Sequence, residues 1–297
     1  MKRNSLADRL IRKVDTFPAL PSVTLRIIQI CANPETTIFE LKRLVESDSA
    51  LVVDILKLAN SPFYGLRRRV TTVEHCLSLL GMSEIKNLVV AKTMFQTFSA
   101  PGKIDTTALW LHSFYCALAA KSLAPAFNLN PDELFVAGII HDIGKLIIYM
   151  ELEDQDIRML EFKRPVNFNI TQHEEKIIGI SHDILGGILL ESWMFPPMLV
   201  NAVRNHHHPH RVANENSFLL VVHIADLLSH IIATAPASEE ETILTNHLLS
   251  PDNCGLAKRF GFLLDKNTLP DILLKLRLEI KNEDATISLL TNPGAGN

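Results

Sequence analysis

The sequence predicts an all-α fold. Apolar residues recur at three- and four-residue spacing along most of the chain. The best candidate for an alternating strand, Val70-Thr71-Thr72-Val73, is too short to form one. The 297 residues include only 12 glycines and 6% aromatics, so Leu, Ile, Ala and Val supply the apolar mass, a composition that favours helices over sandwiches and barrels.

Leu6–Val14 opens the series. Phe17-Pro18-Ala19-Leu20-Pro21 ends it, because two prolines three apart cannot continue a helix. Ser22 is placed as the N-cap of Val23–Cys31, and Asn33-Pro34 stops that segment. Ile38–Glu46 and Ala50–Ala59 follow, then the turn cluster Asn60-Ser61-Pro62-Phe63-Tyr64-Gly65, which Asn60, Ser61 and Tyr64 would brace through their side chains. Gly81 separates Val73–Leu80 from Ser83–Phe98. Ala100-Pro101-Gly102 is the strongest internal break and closes an N-terminal helical subdomain of residues 1–105. Longer patterns come after it: Thr107–Phe127, Pro131–Met150, Ser181–Trp193, Pro197–His206, Ser217–Thr234 and Thr268–Lys281. Pro131 suits a first helical position, with Asp132 and Glu133 placed to complement the dipole. Residues 106–290 form the second helical subdomain with a C-terminal extension, and the tail 291–297 is expected to be disordered.

Composition narrows the function classes. Apolar residues at 47% and charged residues at 21% are the ordinary globular mix. A net charge of −4 provides no general basic field for nucleic acid or an anionic membrane; the short run Arg67-Arg68-Arg69 is read as a solvated loop. Cys31, Cys76, Cys116 and Cys254 contain no C-x-x-C pair, which points to a reducing compartment. The N-terminal MKRNSLADRLIRKV lacks the apolar stretch of a signal peptide. The apolar run Leu134–Met150 is interrupted by His141, Asp142 and Lys145, and Phe218–Ala235 by His223, Asp226 and His230, so neither is a membrane span. The expectation is a cytoplasmic protein with no membrane partner.

Histidine stands out. Of 12 histidines, all but His75 lie after the Pro101-Gly102 break. Several interrupt apolar helices: His112 in Leu109–Ser113, His141 with Asp142 after Phe135–Ile140, His182 at a helix start, His206-His207-His208 at a helix end, and Asp226 after Val221–Ala225. Taken singly, each has a plain structural reading. His112 could be a core histidine with one hydrogen bond, Asp142 could cap a turn, and His206–His208 could form an exposed turn before Pro209. Cys116, one turn after His112, is assigned to packing. An isolated buried carboxylate is expensive, however, and several such groups converging on a cation offset one another's cost.

The ordered set His112, His141-Asp142, His182, His206-His207 and Asp226 resembles the HD superfamily of metal-dependent phosphohydrolases. Leu20-Pro21, Asp48 with Leu51, Leu58–Gly65, Leu79-Leu80-Gly81, His141–Leu146, Glu174-Glu175, Gly179, Gly186, Trp193, Pro196 and His206–Pro209 narrow the resemblance to its HDOD branch, the HD-related output domains of bacterial signalling proteins. The resemblance covers about residues 14–230 and implies a helical N-terminal subdomain packed on an HD-like one. It implies one or two divalent cations (Fe, Mn, Zn or Ni), with Asp142 bridging, His112, His141 and Asp226 on one ion, and His182, His206 and His207 on the other. It assigns catalytic roles to Asp142 and to Lys145, the latter as a phosphate-facing cation; on residue type alone Lys145 belongs to a solvated helix face. The Gly-Tyr-Pro segment of the related cyclic-dinucleotide phosphodiesterases is missing after His206-His207. The implied function is therefore a signalling module with a protein partner. The alternative is a phosphohydrolase acting on a nucleotide or other phosphate ester.

Overall fold

The computed structural model describes residues 2–17, 22–33, 35–60, 69–98, 106–152, 170–211, 216–234 and 238–291. Among the described residues every regular element is helical, and no helix is long and apolar enough to cross a membrane.

The first group of helices is α1 (Lys2–Thr16), α2 (Ser22–Ala32), α3 (Ile38–Glu46), α4 (Ser49–Ala59), α5 (Val73–Leu80) and α6 (Met82–Phe98). Local chemistry sets their ends. Thr37 and Glu40 form a reciprocal capping box at α3. Asp48 caps α4 by accepting the Ala50 and Leu51 amides. Gly81 takes φ +84° between α5 and α6, a conformation suited to glycine. The Asn60 amide donates to the Leu56 and Val70 carbonyls and accepts the Val70 N–H, which ties the end of α4 to Val70. Residues 61–65 of the predicted turn cluster, Arg67 and Arg68 of the basic run, the Pro18–Pro21 and Pro101-Gly102 breaks and residues 292–297 of the predicted tail 291–297 lie outside the described residues.

The second group is α7 (Thr107–Leu123), α8 (Pro131–Ile140), α9 (Gly144–Glu151), α10 (Ile170–Ile178), α11 (His182–Ser192), α12 (Pro197–Asn205) and α13 (Ser217–Ala233). The C-terminal helices are α14 (Glu239–Leu248), α15 (Pro251–Arg259), α16 (Leu269–Asn282) and α17 (Asp284–Thr291). The predicted stretch Pro131–Met150 is in fact two helices. The chain turns at His141–Ile143, and the Lys145 amide donates to the Asp142 carbonyl at 2.9 Å. Likewise the α-helix predicted to reach Phe127 ends at Leu123 and continues as a 3₁₀ turn over Ala124–Phe127.

The helices share one hydrophobic cluster running from Leu10 to Leu276. Helix α1 packs on α9, α10 and α11, and α17 packs on α4 and α6. Phe17 meets Trp193 with ring centroids 6.2 Å apart, and Lys13 pairs with Glu151 at 2.7 Å. Two glycines permit the contacts that frame the candidate site. A Cβ on Gly138 would run into the Ala117 backbone of α7, and one on Gly144 into the His182 carbonyl of α11. These approaches bring the His141–Ile143 turn against α7 on one side and the start of α11 on the other.

Candidate metal centre

Five places in the fold deliver the predicted residues to one largely buried cluster. Helix α7 carries His112. The turn between α8 and α9 carries His141 and Asp142, and α11 opens with His182. His206 and His207 follow the last turn of α12, and α13 carries Asp226. His141, His182 and His206 are wholly buried, and Asp142 and Asp226 are 1% exposed. All seven meet, in two groups. His112, His141 and Asp226 each offer a ligand atom within 4.8 Å of the others, and so do Asp142, His182, His206 and His207.

Asp142 stands between the groups. Its Oδ1 lies 3.1 Å from His182 Nε2 and 3.7 Å from His206 Nε2. Its Oδ2 lies 3.4 Å from His141 Nε2 and 3.5 Å from His112 Nε2. Asp226 Oδ1 lies 3.1 Å from His112 Nε2 and 3.5 Å from His141 Nε2, and its Oδ2 faces His207 Nδ1 at 3.8 Å.

A second layer aims the rings. His141 Nδ1 donates to the Gly138 carbonyl at 2.8 Å, and His206 Nδ1 to the Val203 carbonyl at 2.7 Å. His182 Nδ1 donates to Glu174 at 2.7 Å. The same Glu174 oxygen accepts the His182 backbone N–H at 2.8 Å, so this carboxylate also caps α11. Ser229 gives its hydroxyl proton to the Asp226 carbonyl at 2.7 Å, leaving its oxygen to accept from His112 Nδ1 at 3.2 Å. The four ring bonds, of His112, His141, His182 and His206, use Nδ1 and turn Nε2 inward, the arrangement that second-layer partners give to metal-binding histidines.

The donor set fits a cation. His112 and His141 approach Nε2 to Nε2 at 3.2 Å, and His182 and His207 at 3.0 Å. Two bare nitrogen lone pairs at such distances repel unless a proton or cation is shared. Among the described residues, Asp142 Oδ1, Asp226 Oδ2 and His206 Nε2 are buried without a hydrogen bond, a costly condition in a dry interior.

The electrostatics agree. Burial lowers His112 to about 3, and His230 beside it acts in the same direction. Burial, then the neighbouring His141 and His182, lowers His206 to about 3. Burial also holds His207 well below its ordinary value. Burial opposes protonation of His182, but Glu174 and Asp142 outweigh it and raise the ring to about 9. Burial would raise Asp142, yet His141 and Lys145 hold it well below the usual carboxylate range. Asp226 stays low against burial through His112, His141 and His230. His112, His206 and His207 are thus neutral beside ionised carboxylates, as metal ligation requires, whereas His182, and His141 raised against burial by Asp142, hold protons that a bound cation would displace.

Lys145 departs from the solvated-face reading. It is 7% exposed, and its ammonium donates to Asp142 Oδ2 at 2.5 Å. Its position in the first turn of α9 follows from the helix break at His141–Ile143, which the apolar run concealed. Sequence reasoning gave no role to Ser229, His223 or His230, and it saw Glu174 only as part of the family pattern. His230 contacts Asp226 Oδ1 at 3.4 Å and stacks on His112 with ring centroids 4.2 Å apart. Its spacing of four residues from Asp226 on one helix was the available signal. Cys116 is fully buried. Burial raises its thiol, with His141 beside it acting the other way, consistent with packing.

Comparison with known proteins gives a consistent picture. The HDOD domain family model matches residues 17–209. An HDOD domain protein of unknown function from Geobacter sulfurreducens is 26% identical, with a TM-score of 0.76 over 97% of this chain and 98% of that one. A provisionally assigned phosphohydrolase from Shewanella amazonensis SB2B shares the fold at a TM-score of 0.70 and 21% identity, over 95% of this chain and 97% of that one. An uncharacterized protein of Treponema pallidum (strain Nichols) is 25% identical over 227 residues, which are 75% of this chain and 43% of the relative. The chain thus spans less than half of that relative's length.

Proposed function

The chain belongs to the HDOD family, and from that premise we propose that it is a regulatory signalling module, built around a centre that holds one or two divalent cations and acting mainly by binding a protein partner. The cation reading rests on one observation: buried Asp142 Oδ1, Asp226 Oδ2 and His206 Nε2 lack hydrogen bonds where seven ligand-capable side chains meet in two adjoining groups. His112, His141 and Asp226 would hold one ion and His182, His206 and His207 the other, with Asp142 between them. Mixed imidazole and carboxylate donors suit Fe, Mn, Zn or Ni.

The partner-binding reading is favoured by the state of Lys145. Its ammonium is committed to Asp142 at 2.5 Å, so the cation that would meet a phosphate is already engaged. A cytoplasmic setting suits a module of this kind.

A second reading, a metal-dependent phosphohydrolase, is favoured by the adjacency of the two ligand groups across Asp142. A bound cation pair would supply polarisation of a phosphate oxygen and activation of water. Asp142 would then hold the pair together, and Lys145 would leave it to meet the phosphate of a small phosphate ester. The test is metal analysis of the purified chain, followed by hydrolysis assays on bis(p-nitrophenyl) phosphate and cyclic dinucleotides with the metals found. Bound metal with little turnover supports the regulatory reading. Robust hydrolysis lost in Asp142→Ala would establish the second reading instead.

A further inference from the structure

The turn that presents His206 and His207 is anchored by a residue beyond the matched segment 17–209. Where α12 ends, its last carbonyls lack helical partners. The His206 carbonyl receives His223 Nδ1–H from α13 at 2.6 Å. His223 Nε2 lies 3.1 Å from the Asn253 side-chain oxygen on α15. The same oxygen lies 3.1 Å from His210 Nε2, at the far end of the turn. The Asn253 amide nitrogen donates to the His247 carbonyl at 3.2 Å, which fixes the oxygen toward both histidines. Asn253 is 2% exposed. Burial lowers His223 to about 4, so its ring carries one proton, given to the His206 carbonyl, and the amide holds the turn by hydrogen bond at His210.

We propose that Asn253 is a positioning residue for the metal centre, acting through His210 to hold the His206-His207 turn so that both rings face Asp142. This makes α15 a working part of the centre: displacing that helix would loosen two ligands at once. The proposal rests on the metal reading given above. A purely structural Asn253 would join α14 to α15 through the His247 carbonyl and leave the ligand geometry untouched.

The full-length chain is titrated with Co²⁺ and read by its visible ligand-field absorption, with helical circular dichroism recorded before metal is added. Asn253→Ser leaves a small polar side chain that cannot reach either histidine. It should bind Co²⁺ about ten-fold more weakly than the wild type, the scale of lost second-layer partners, with altered absorption bands. Asn253→Asp keeps an oxygen facing both histidines and should recover most of the affinity and the wild-type bands. Should Asn253→Ser lose its helical signal, the wild type decides: the side-chain amide resonances of Asn253 should shift on addition of Zn²⁺. Unchanged affinity and bands in folded Asn253→Ser, or no Zn²⁺-dependent shift at Asn253, overturns the proposal while leaving the metal reading intact. A wild type that binds neither ion overturns both.

Discussion

Asp142 occupies the place where an unpaired charge costs most. It is 1% exposed, and its two oxygens face different groups of histidines. Glu174 does a quieter job, since one of its oxygens takes both donors of His182, at 2.8 and 2.7 Å. Glu174→Ala strands those donors in the core, which should cost about 1–3 kcal/mol, and it frees the ring to rotate away from Asp142. Thermal unfolding without metal should show the first effect and a weaker metal affinity the second. An unchanged affinity would mean that His182 is held by packing alone.

A second carboxylate gives a pH prediction away from the centre. Burial, then Glu84 nearby, raises Glu283 to about 7. Its folded value lies above the unfolded one of about 4.3, so the folded chain binds the extra proton. Stability should therefore fall as pH rises from about 4.3 through about 7, and stay level outside that window. Glu283→Gln removes the titration. After allowance for partial solvent screening, it should stabilise the chain by about 1–2 kcal/mol at pH 8 and by nothing at pH 4. Denaturant unfolding at the two pH values checks this, and an equal effect at both would refute it.

At the scale of elements, the centre depends on helix crossings that only glycine allows. A Cβ on Gly144 meets backbone, the His182 carbonyl, rather than the flexible end of a side chain. Gly144→Ala must therefore push α9 from α11 and carry Asp142 away from His182. Overpacking of this kind costs about 1–3 kcal/mol or more. Gly255, with no neighbour near an added Cβ, is the control: Gly255→Ala inside α15 should leave the melting temperature level or raise it slightly.

Most helices were legible because their spacing is regular and their caps are local, as with the Thr37–Glu40 box. The break at His141–Ile143 was not, because the turn lies inside an unbroken apolar run and its cause is the tertiary approach of α11. Helices α10, α14, α15 and α17 escaped the reading because their stretches are short and rich in polar residues. The seven candidate ligands stood out as polar groups on apolar helices. Their supporting partners did not: Glu174, Asn253 and Ser229 are ordinary on their own helices and acquire meaning only from distant residues.

Over the whole molecule, one core joins α1 to α16, so a cation held at its middle should stabilise the entire chain. A ligand that binds only the folded state adds about 2.7 kcal/mol at one hundred times its dissociation constant. Saturating divalent metal should raise the melting temperature of the wild type by several degrees, and Asp142→Ala should abolish the rise. The central claim is tested most directly by locating the ions. Crystals grown with Mn²⁺ or Zn²⁺ and measured at the metal's absorption edge should show one or two anomalous peaks beside Asp142, flanked by His112, His141 and Asp226 on one side and by His182, His206 and His207 on the other. An empty cavity at saturating metal, with those rings still facing one another, would contradict the account.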